Sequence, residues 1–172
     1  NMTTAVLLGL MLVFEPKEPD IMDRPPRHPR EPILTRVLVW RLILVGILLL
    51  LGAFGLFARE LQTGVGIAEA RTVAVNVFVM VELFYLFNCR SLTKSAFEVG
   101  FFSNPWVFGG AAIMIVLQLL FTYLPAMNAM FHSHPIGLDS WLRILGVATV
   151  ALLVVGAEKG FVRWWTARAV GR

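Results

Sequence analysis

The sequence predicts an all-α polytopic membrane protein, a helical bundle with one truncated and four full transmembrane helices. Of its 172 residues, 58% are hydrophobic and only 15% are charged, and the mean hydropathy is +0.75. Because a soluble domain carries about 25% charged residues, this composition favours the bilayer as the solvent. The apolar residues also form blocks of spanning length between short polar segments, as helical membrane proteins do.

The apolar blocks locate the helices in order along the chain. Between the first two blocks lies a charged, proline-rich loop whose prolines lack the amide donors that a regular helix needs. Further on, Pro105 and Pro125 cut a span of about one bilayer thickness out of a long uncharged run. The predicted helices are 1–14, 37–59, 70–89, 105–124 and 139–165. The corresponding organisation is a truncated helix (1–14), a loop (15–36) and a four-helix domain (37–172).

The first apolar block is shorter than a bilayer. Its 14 residues cover about 21 Å as a helix, against a hydrocarbon core of about 30 Å. A signal peptide would carry its basic residues before the apolar run, whereas here they follow it. We therefore expect a fragment of a longer protein, in which the first helix is truncated.

The basic residues predict the orientation. Twelve of the fifteen Lys and Arg residues lie in the first connection, the third connection and the C-terminal tail. The positive-inside rule places these three segments in the cytoplasm, and their alternation is consistent with four full spans. We thus expect an integral protein of the cell membrane with a cytoplasmic C-terminus. The net charge of +4 is explained by topology, and no nucleic-acid partner is expected.

One acidic residue inside a span is the main site candidate. Counted along the helix, Glu82 lies about 11 Å from the cytoplasmic edge of its span. The same count gives a depth of about 15 Å for Thr4 and about 20 Å for Asn1. A carboxylate at such depth is costly unless it is protonated, paired or bound to a cation, and no basic residue lies at its level. Cation binding and a protonated carboxyl that joins helices are both open interpretations.

The other polar residues inside the predicted spans are interpreted mainly as contacts that hold the helices together. Asn76 and Gln118, both about 20 Å deep by that count, are typical of interhelical hydrogen bonds. Glu158, close to the inner boundary, is expected to form an interfacial pair with the adjacent Lys159. A second polar site that includes Asn76 and Glu158 is the alternative.

Resident metal sites are not expected. The single cysteine, Cys89, excludes an internal disulfide and a cysteine-based zinc site. His132 and His134 are one residue apart in a predicted external loop, but two ligands are too few for a structural zinc site. We therefore expect an ordinary polar loop there.

Short motifs along essentially the whole chain point to a family. The most specific is Asp20-Ile21-Met22-Asp23-Arg24-Pro25-Pro26-Arg27, and it follows Asn1-Met2-Thr3-Thr4-Ala5-Val6 and Phe14-Glu15-Pro16. These stretches resemble the sixth transmembrane helix and the following cytoplasmic loop of type II P-type ATPases, the calcium, sodium/potassium and proton/potassium pumps. Similar matches to the eighth, ninth and tenth helices are Val81-Glu82-Leu83, Asn104-Pro105-Trp106, Leu138-Asp139-Ser140-Trp141 and Glu158-Lys159.

The resemblance implies a cation site. Asn1 and Thr4 match two ion ligands of the sixth helix, and Glu82 matches the acidic ligand of the eighth. Ala5 stands where the calcium pumps carry an aspartate. Because Ca²⁺ takes about six to eight oxygens, several of them anionic, we expect a monovalent cation, a single divalent ion or a proton-coupled variant rather than standard two-site calcium transport.

The function that the resemblance implies is that of the membrane-embedded C-terminal part of an ATP-driven cation pump. Its partners would be the transported cation, the upstream helices and cytoplasmic domains of the same pump, and the lipid bilayer. The sequence contains no Asp-Lys-Thr-Gly-Thr phosphorylation motif, so ATP and Mg²⁺ are expected to bind the full-length protein elsewhere, and this chain is not expected to hydrolyse ATP by itself. The alternative is a free-standing helical membrane protein, either a secondary transporter or an accessory subunit.

Overall fold

The computed structural model describes residues 2–17, 32, 34–91, 100 and 102–170. Asn1 and the motif at 20–27 lie outside the described residues. All regular secondary structure in the described part is helical, which confirms the predicted fold class. Its helices are α1 (Met2–Leu12), α2 (Arg36–Gln62), α3 (Ile67–Cys89), α4 (Pro105–Tyr123), α5 (Pro125–Phe131) and α6 (Leu138–Val170). Within the described residues, α2, α3, α4 and α6 are long and apolar enough to cross a membrane, and α1 is a shorter apolar helix.

Helix α3 is the centre of the bundle. It is the most buried of the four spanning helices and contacts α1, α2, α4 and α6. Its fully buried valines, Val73 and Val77, belong to the main hydrophobic core. Helix α1 packs in turn against α4 and α3, so that the two helices carrying Thr4 and Glu82 are neighbours.

The predicted helix bounds need correction at several ends. Helix α2 runs three residues beyond the predicted 59 and ends at Gln62, because Glu60 is held by protein partners inside the bundle. Helix α3 begins at Ile67 instead of 70, and α6 covers Leu138–Val170 instead of 139–165. Charged residues limited the sequence prediction, but a helix continues through charges that are paired or that reach solvent.

Helix α5 was not predicted. Leu124 is extended (φ −76°, ψ 121°) and precedes Pro125, which disfavours helical geometry in the preceding residue and suits the first position of a new helix. Helix α4 therefore stops at Tyr123. Helix α5 ends at Phe131 and is followed by His132, whose φ of 51° is left-handed.

The bundle has two ends that differ in their polar contacts. We call the end where α2 begins and α3 ends the Arg41 end, and the opposite end the Glu60 end. At the Arg41 end, Thr35 caps α2, its hydroxyl accepting a hydrogen bond from the Leu38 amide at 3.3 Å. Near the same end, α1 and α4 approach so closely that a Cβ on Gly110 would lie 2.3 Å from Met11 Cγ.

Candidate cation site

A cavity of about 210 Å³ lies between α1 and α3. It brings together Thr4 of α1 and Glu82 of α3, which the sequence singled out as cation ligands. Asn1, the third predicted ligand, lies outside the described residues. The cavity is lined by Thr4, Ala5, Leu8, Gly9, Leu12, Glu82, Tyr85, Leu86 and Cys89.

Two buried oxygens of the cavity-lining residues have no hydrogen-bond partner within the described part of the chain. The Thr4 side chain is only 1% exposed, and its Oγ1 has no hydrogen-bond partner among the described residues. The Oε2 atom of Glu82 is likewise buried and without a partner there. A buried polar atom left unsatisfied costs about 1–3 kcal/mol, and more when it is charged. Each oxygen can therefore still accept a hydrogen bond or coordinate a cation, which the described residues do not supply.

The lining combines one carboxylate and hydroxyl groups with mostly apolar side chains. Carboxylate and hydroxyl oxygens are donors that hard cations prefer, and the neighbouring Leu8, Leu12 and Leu86 exclude water, which strengthens electrostatic attraction. Ala5 lines the same cavity, so the departure from the calcium-pump pattern falls inside the candidate site. The described part of the chain holds no group of three His, Cys, Asp or Glu residues suited to a metal, and further ligands would have to come from elsewhere.

Asn76 is engaged by other protein groups. Its side-chain amide donates to the Thr122 hydroxyl at 3.2 Å and to the Thr72 carbonyl at 2.9 Å, and its oxygen accepts from the Gln118 amide at 3.0 Å. All three bonds are buried, and those with Thr122 and Gln118 join α3 to α4. Asn76 and Gln118 thus form the interhelical hydrogen bonds that the sequence favoured. A second polar site involving Asn76 stays a prediction, and Asn76 does not line the cavity of Glu82.

Glu158 has a different partner from the one predicted. Its Oε2 accepts from Arg41 Nε of α2 at 2.9 Å, whereas Lys159 donates to the carbonyls of Asn88 and Ser91. The predicted Glu158–Lys159 pair is therefore wrong. Consecutive residues on a helix point about 100° apart, so these two side chains meet different neighbours: α2 on one side and the end of α3 on the other.

A further ion pair, with a buried carboxylate, was missed by sequence reasoning. Glu60, only 2% exposed, accepts from Arg143 Nη2 at 3.0 Å, and Ser140 lies 3.1 Å from the same nitrogen. This pair joins α2 to α6 at the Glu60 end. Both charges lie at predicted span boundaries. Hydropathy alone does not distinguish a solvated charge there from one that is paired within the bundle.

The sequence also missed a cluster at the Arg41 end, where Phe14-Glu15-Pro16 meets Asn104-Pro105-Trp106. The carboxylate of Glu15 accepts from Arg90 Nη2 at 2.8 Å and from Asn104 Nδ2 at 2.8 Å, and the Ser103 hydroxyl also bonds Arg90. We call Glu15, Arg90, Ser103 and Asn104 the Glu15 cluster. The sequence signal was present, because both motifs had already been singled out, but nothing in it indicated their contact.

The histidine loop packs on the bundle through its backbone and a serine. The His134 amide donates to the Thr72 hydroxyl at 2.9 Å, and the Ser133 hydroxyl donates to the Phe121 carbonyl at 2.8 Å. The imidazole of His134 is exposed, with its Nδ1 3.9 Å from a Glu69 oxygen. That the two histidines are dispensable for transport and metal binding stays a prediction.

This fold and cavity define a class of protein, a polytopic helical membrane protein with unpartnered oxygens between two helices. The sequence matches the family described as "Cation transporting ATPase, C-terminus" over residues 1–161. The chain therefore belongs to the C-terminal regions of the cation-transporting ATPases, which confirms the resemblance and favours the pump over a free-standing membrane protein.

Individual relatives agree with the family. The chain is 54% identical over 158 residues to "Probable cation-transporting ATPase F" of Mycobacterium tuberculosis, covering 92% of this chain and 18% of that protein. It is 30% identical over 162 residues to "Calcium-transporting ATPase" of Bacillus subtilis, covering 92% and 18%. It is also 30% identical over 152 residues to "Calcium-transporting ATPase 1" of Yarrowia lipolytica, covering 88% and 16%. The chain thus spans less than one fifth of the length of these relatives.

Proposed function

We propose that this chain is the membrane-embedded C-terminal part of an ATP-driven cation pump and that Thr4 and Glu82 contribute oxygens to its transport site. The observation that carries the proposal is that Thr4 and Glu82 line one cavity between α1 and α3 and that each has a buried oxygen without a partner among the described residues. A cation would supply the positive charge that Glu82 needs at this depth. Asn1 is the third proposed ligand, on the family resemblance.

The remaining parts of the pump are proposed from the family and the charge pattern. Upstream helices would complete the oxygen shell, cytoplasmic domains would bind ATP and Mg²⁺, and α2, α3, α4 and α6 would support the moving helices within the lipid bilayer. The distribution of Lys and Arg supports a C-terminus in the cytoplasm, and we propose the cell membrane as the location.

The residues of the proposed site supply little negative charge. Ala5 carries no charge, so Glu82 is the one carboxylate among the residues that line the cavity. Such a site suits a monovalent cation, a single divalent ion or an exchange of cation against proton, because protonation of the carboxyl replaces the charge of a departing ion. The names of two relatives specify calcium, and calcium therefore belongs in the panel of cations tested.

The test is Glu82→Gln in the full-length protein, which removes the charge and keeps the shape. Phosphorylation from ATP is measured against the concentration of each cation in a panel, and phosphorylation from inorganic phosphate reports the intact catalytic domains. We expect cation-activated phosphorylation to fall sharply while phosphorylation from phosphate persists. The matched control is Glu69→Gln, in the first turn of the same helix and away from the cavity. Unchanged cation affinity in folded Glu82→Gln would reduce Glu82 to a packing role.

A further inference from the structure

The Glu15 cluster begins with a buried ion pair between the ends of α1 and α3. Arg90 donates to both carboxylate oxygens of Glu15 from Nε, at 3.0 Å and 3.1 Å, and from Nη2 at 2.8 Å. The Arg90 side chain is 0% exposed and that of Glu15 is 13% exposed. The planar guanidinium fixes both the distance and the angle of such a pair, which a lysine ammonium does not do.

Asn104 ties the same carboxylate to the start of α4. Its Nδ2 donates to Glu15 at 2.8 Å and to the Met11 carbonyl, in the last turn of α1, at 3.2 Å. Its Oδ1 accepts from the Trp106 amide at 3.0 Å and caps α4. The ring of Trp106 also packs on Phe14 with centroids 5.1 Å apart. Directional bonds therefore hold the end of α1 to both α3 and α4.

Both members of the ion pair are attached rigidly to their helices. The Glu15 amide donates to the Leu12 carbonyl at 3.1 Å, so that a hydrogen-bonded turn connects Glu15 to the end of α1. Arg90 follows α3 directly with helical backbone angles (φ −61°, ψ −25°), and Lys159 bonds the carbonyls of Asn88 and Ser91 on either side of it. A displacement at the Glu15 cluster is thus transmitted along both helices.

We propose that Arg90 is a positioning residue for the cation site. Through Glu15 it sets the depth and rotation of α1 against α3, and thereby the separation of Thr4 and Glu82. Arg90 lies about 12 Å along α3 from Glu82 at 1.5 Å per residue, and Leu12 and Cys89, which line the cavity, lie between the pair and the two oxygens. Cation binding depends on ligand distances to within about 0.2 Å, so a small shift of α1 lowers affinity. This inference rests on the proposed function.

The functional test uses Arg90→Lys and Glu15→Gln in the full-length protein. Each variant preserves much of the side chain but loses the forked ion pair. We expect the cation concentration for half-maximal phosphorylation to rise about tenfold, as is typical when a group that orients a metal ligand is changed, while the maximal level and phosphorylation from inorganic phosphate are retained. Glu60→Gln is the matched control, because it breaks an ion pair between α2 and α6 and leaves α1 untouched.

A geometric test is independent of cation binding. Leu12→Cys is combined with the native Cys89, since both positions line the cavity between α1 and α3, and the rate of reaction with a short bifunctional thiol reagent is compared across variants. We expect Arg90→Lys and Glu15→Gln to change the cross-linking rate severalfold and Glu60→Gln to leave it unchanged.

The outcomes separate the two proposals. If cross-linking changes while Glu82→Gln has no effect on cation affinity, the proposed function fails, whereas the control of helix position by Arg90 is supported. An unchanged cross-linking rate in both cluster variants overturns the inference. It is also overturned if Glu82→Gln lowers affinity but the cluster variants do not, or if Glu60→Gln shifts affinity as much as they do.

Discussion

Arg41 of α2 donates to Glu158 of α6 at 2.9 Å, and their side chains are only 5% and 8% exposed. At the other end of the same two helices, Glu60 and Arg143 pair at 3.0 Å. Helix α2 is the least buried of the four spanning helices, so apolar packing alone holds it weakly within this chain. Two ion pairs, a buried one at the Arg41 end and a partly exposed one at the Glu60 end, therefore fix its register against α6.

Removing one charge of the Arg41–Glu158 pair is expected to destabilise the protein more than removing both charges. Arg41→Met leaves the Glu158 carboxylate buried without its partner and should destabilise the protein by about 3–5 kcal/mol. The double variant Arg41→Met/Glu158→Leu should recover much of that loss. Thermal unfolding of the purified protein in detergent measures both. A double variant as unstable as the single one would contradict this account.

Gly110 is expected to be required by the contact between α1 and α4. A Cβ added there would lie 2.3 Å from Met11 Cγ, so Gly110→Ala should destabilise the protein by about 1–3 kcal/mol through overpacking. The matched control is Gly109→Ala, because a Cβ on Gly109 meets nothing within 4 Å. Thermal unfolding compares the two. Equal stability of the two variants would show that α1 moves aside without cost.

Asn76 is expected to serve stability and not cation affinity. Asn76→Leu removes its bonds to Thr122 and Gln118 and should cost about 0.6–1.7 kcal/mol, the usual range for interhelical hydrogen bonds in membranes. The cation concentration for half-maximal phosphorylation should stay that of the parent protein. A shifted cation requirement in a folded variant would instead support the second polar site.

The hydroxyl of Thr4 is expected to matter more than its methyl group. Thr4→Val keeps the shape but removes Oγ1, which is buried without a partner among the described residues, so cation affinity should fall. Thr4→Ser retains the oxygen and should stay near the parent value. The effect of Thr4→Val should be smaller than that of Glu82→Gln, because a neutral dipole attracts a cation less than a full charge does. Cation titration of phosphorylation measures all three, and equal affinity of the Val and Ser variants would exclude Thr4 as a ligand.

Much of the architecture was predictable because hydropathy is a local property. Runs of apolar residues marked the four spanning helices, and the proline pattern separated α4 from the segment after it. Thr4 and Glu82 were predictable as a pair from the family resemblance, and the depths counted along each helix agree with it. Helix α5 was not predicted, because a proline after an apolar run indicates the end of a span. Pro125 also begins a helix.

The sequence by itself determined the fold class, the number of spanning helices, the family and the two residues that the structure brings together at the cavity. Only the tertiary structure decided which charges pair. Arg41 is 117 positions from Glu158, and Glu15 is 75 positions from Arg90. Such pairs depend on the rotation and depth of each helix, which are set by the packing of all its neighbours together. A residue's type and spacing give its depth in the membrane, whereas its partner is decided by how the helices turn toward one another.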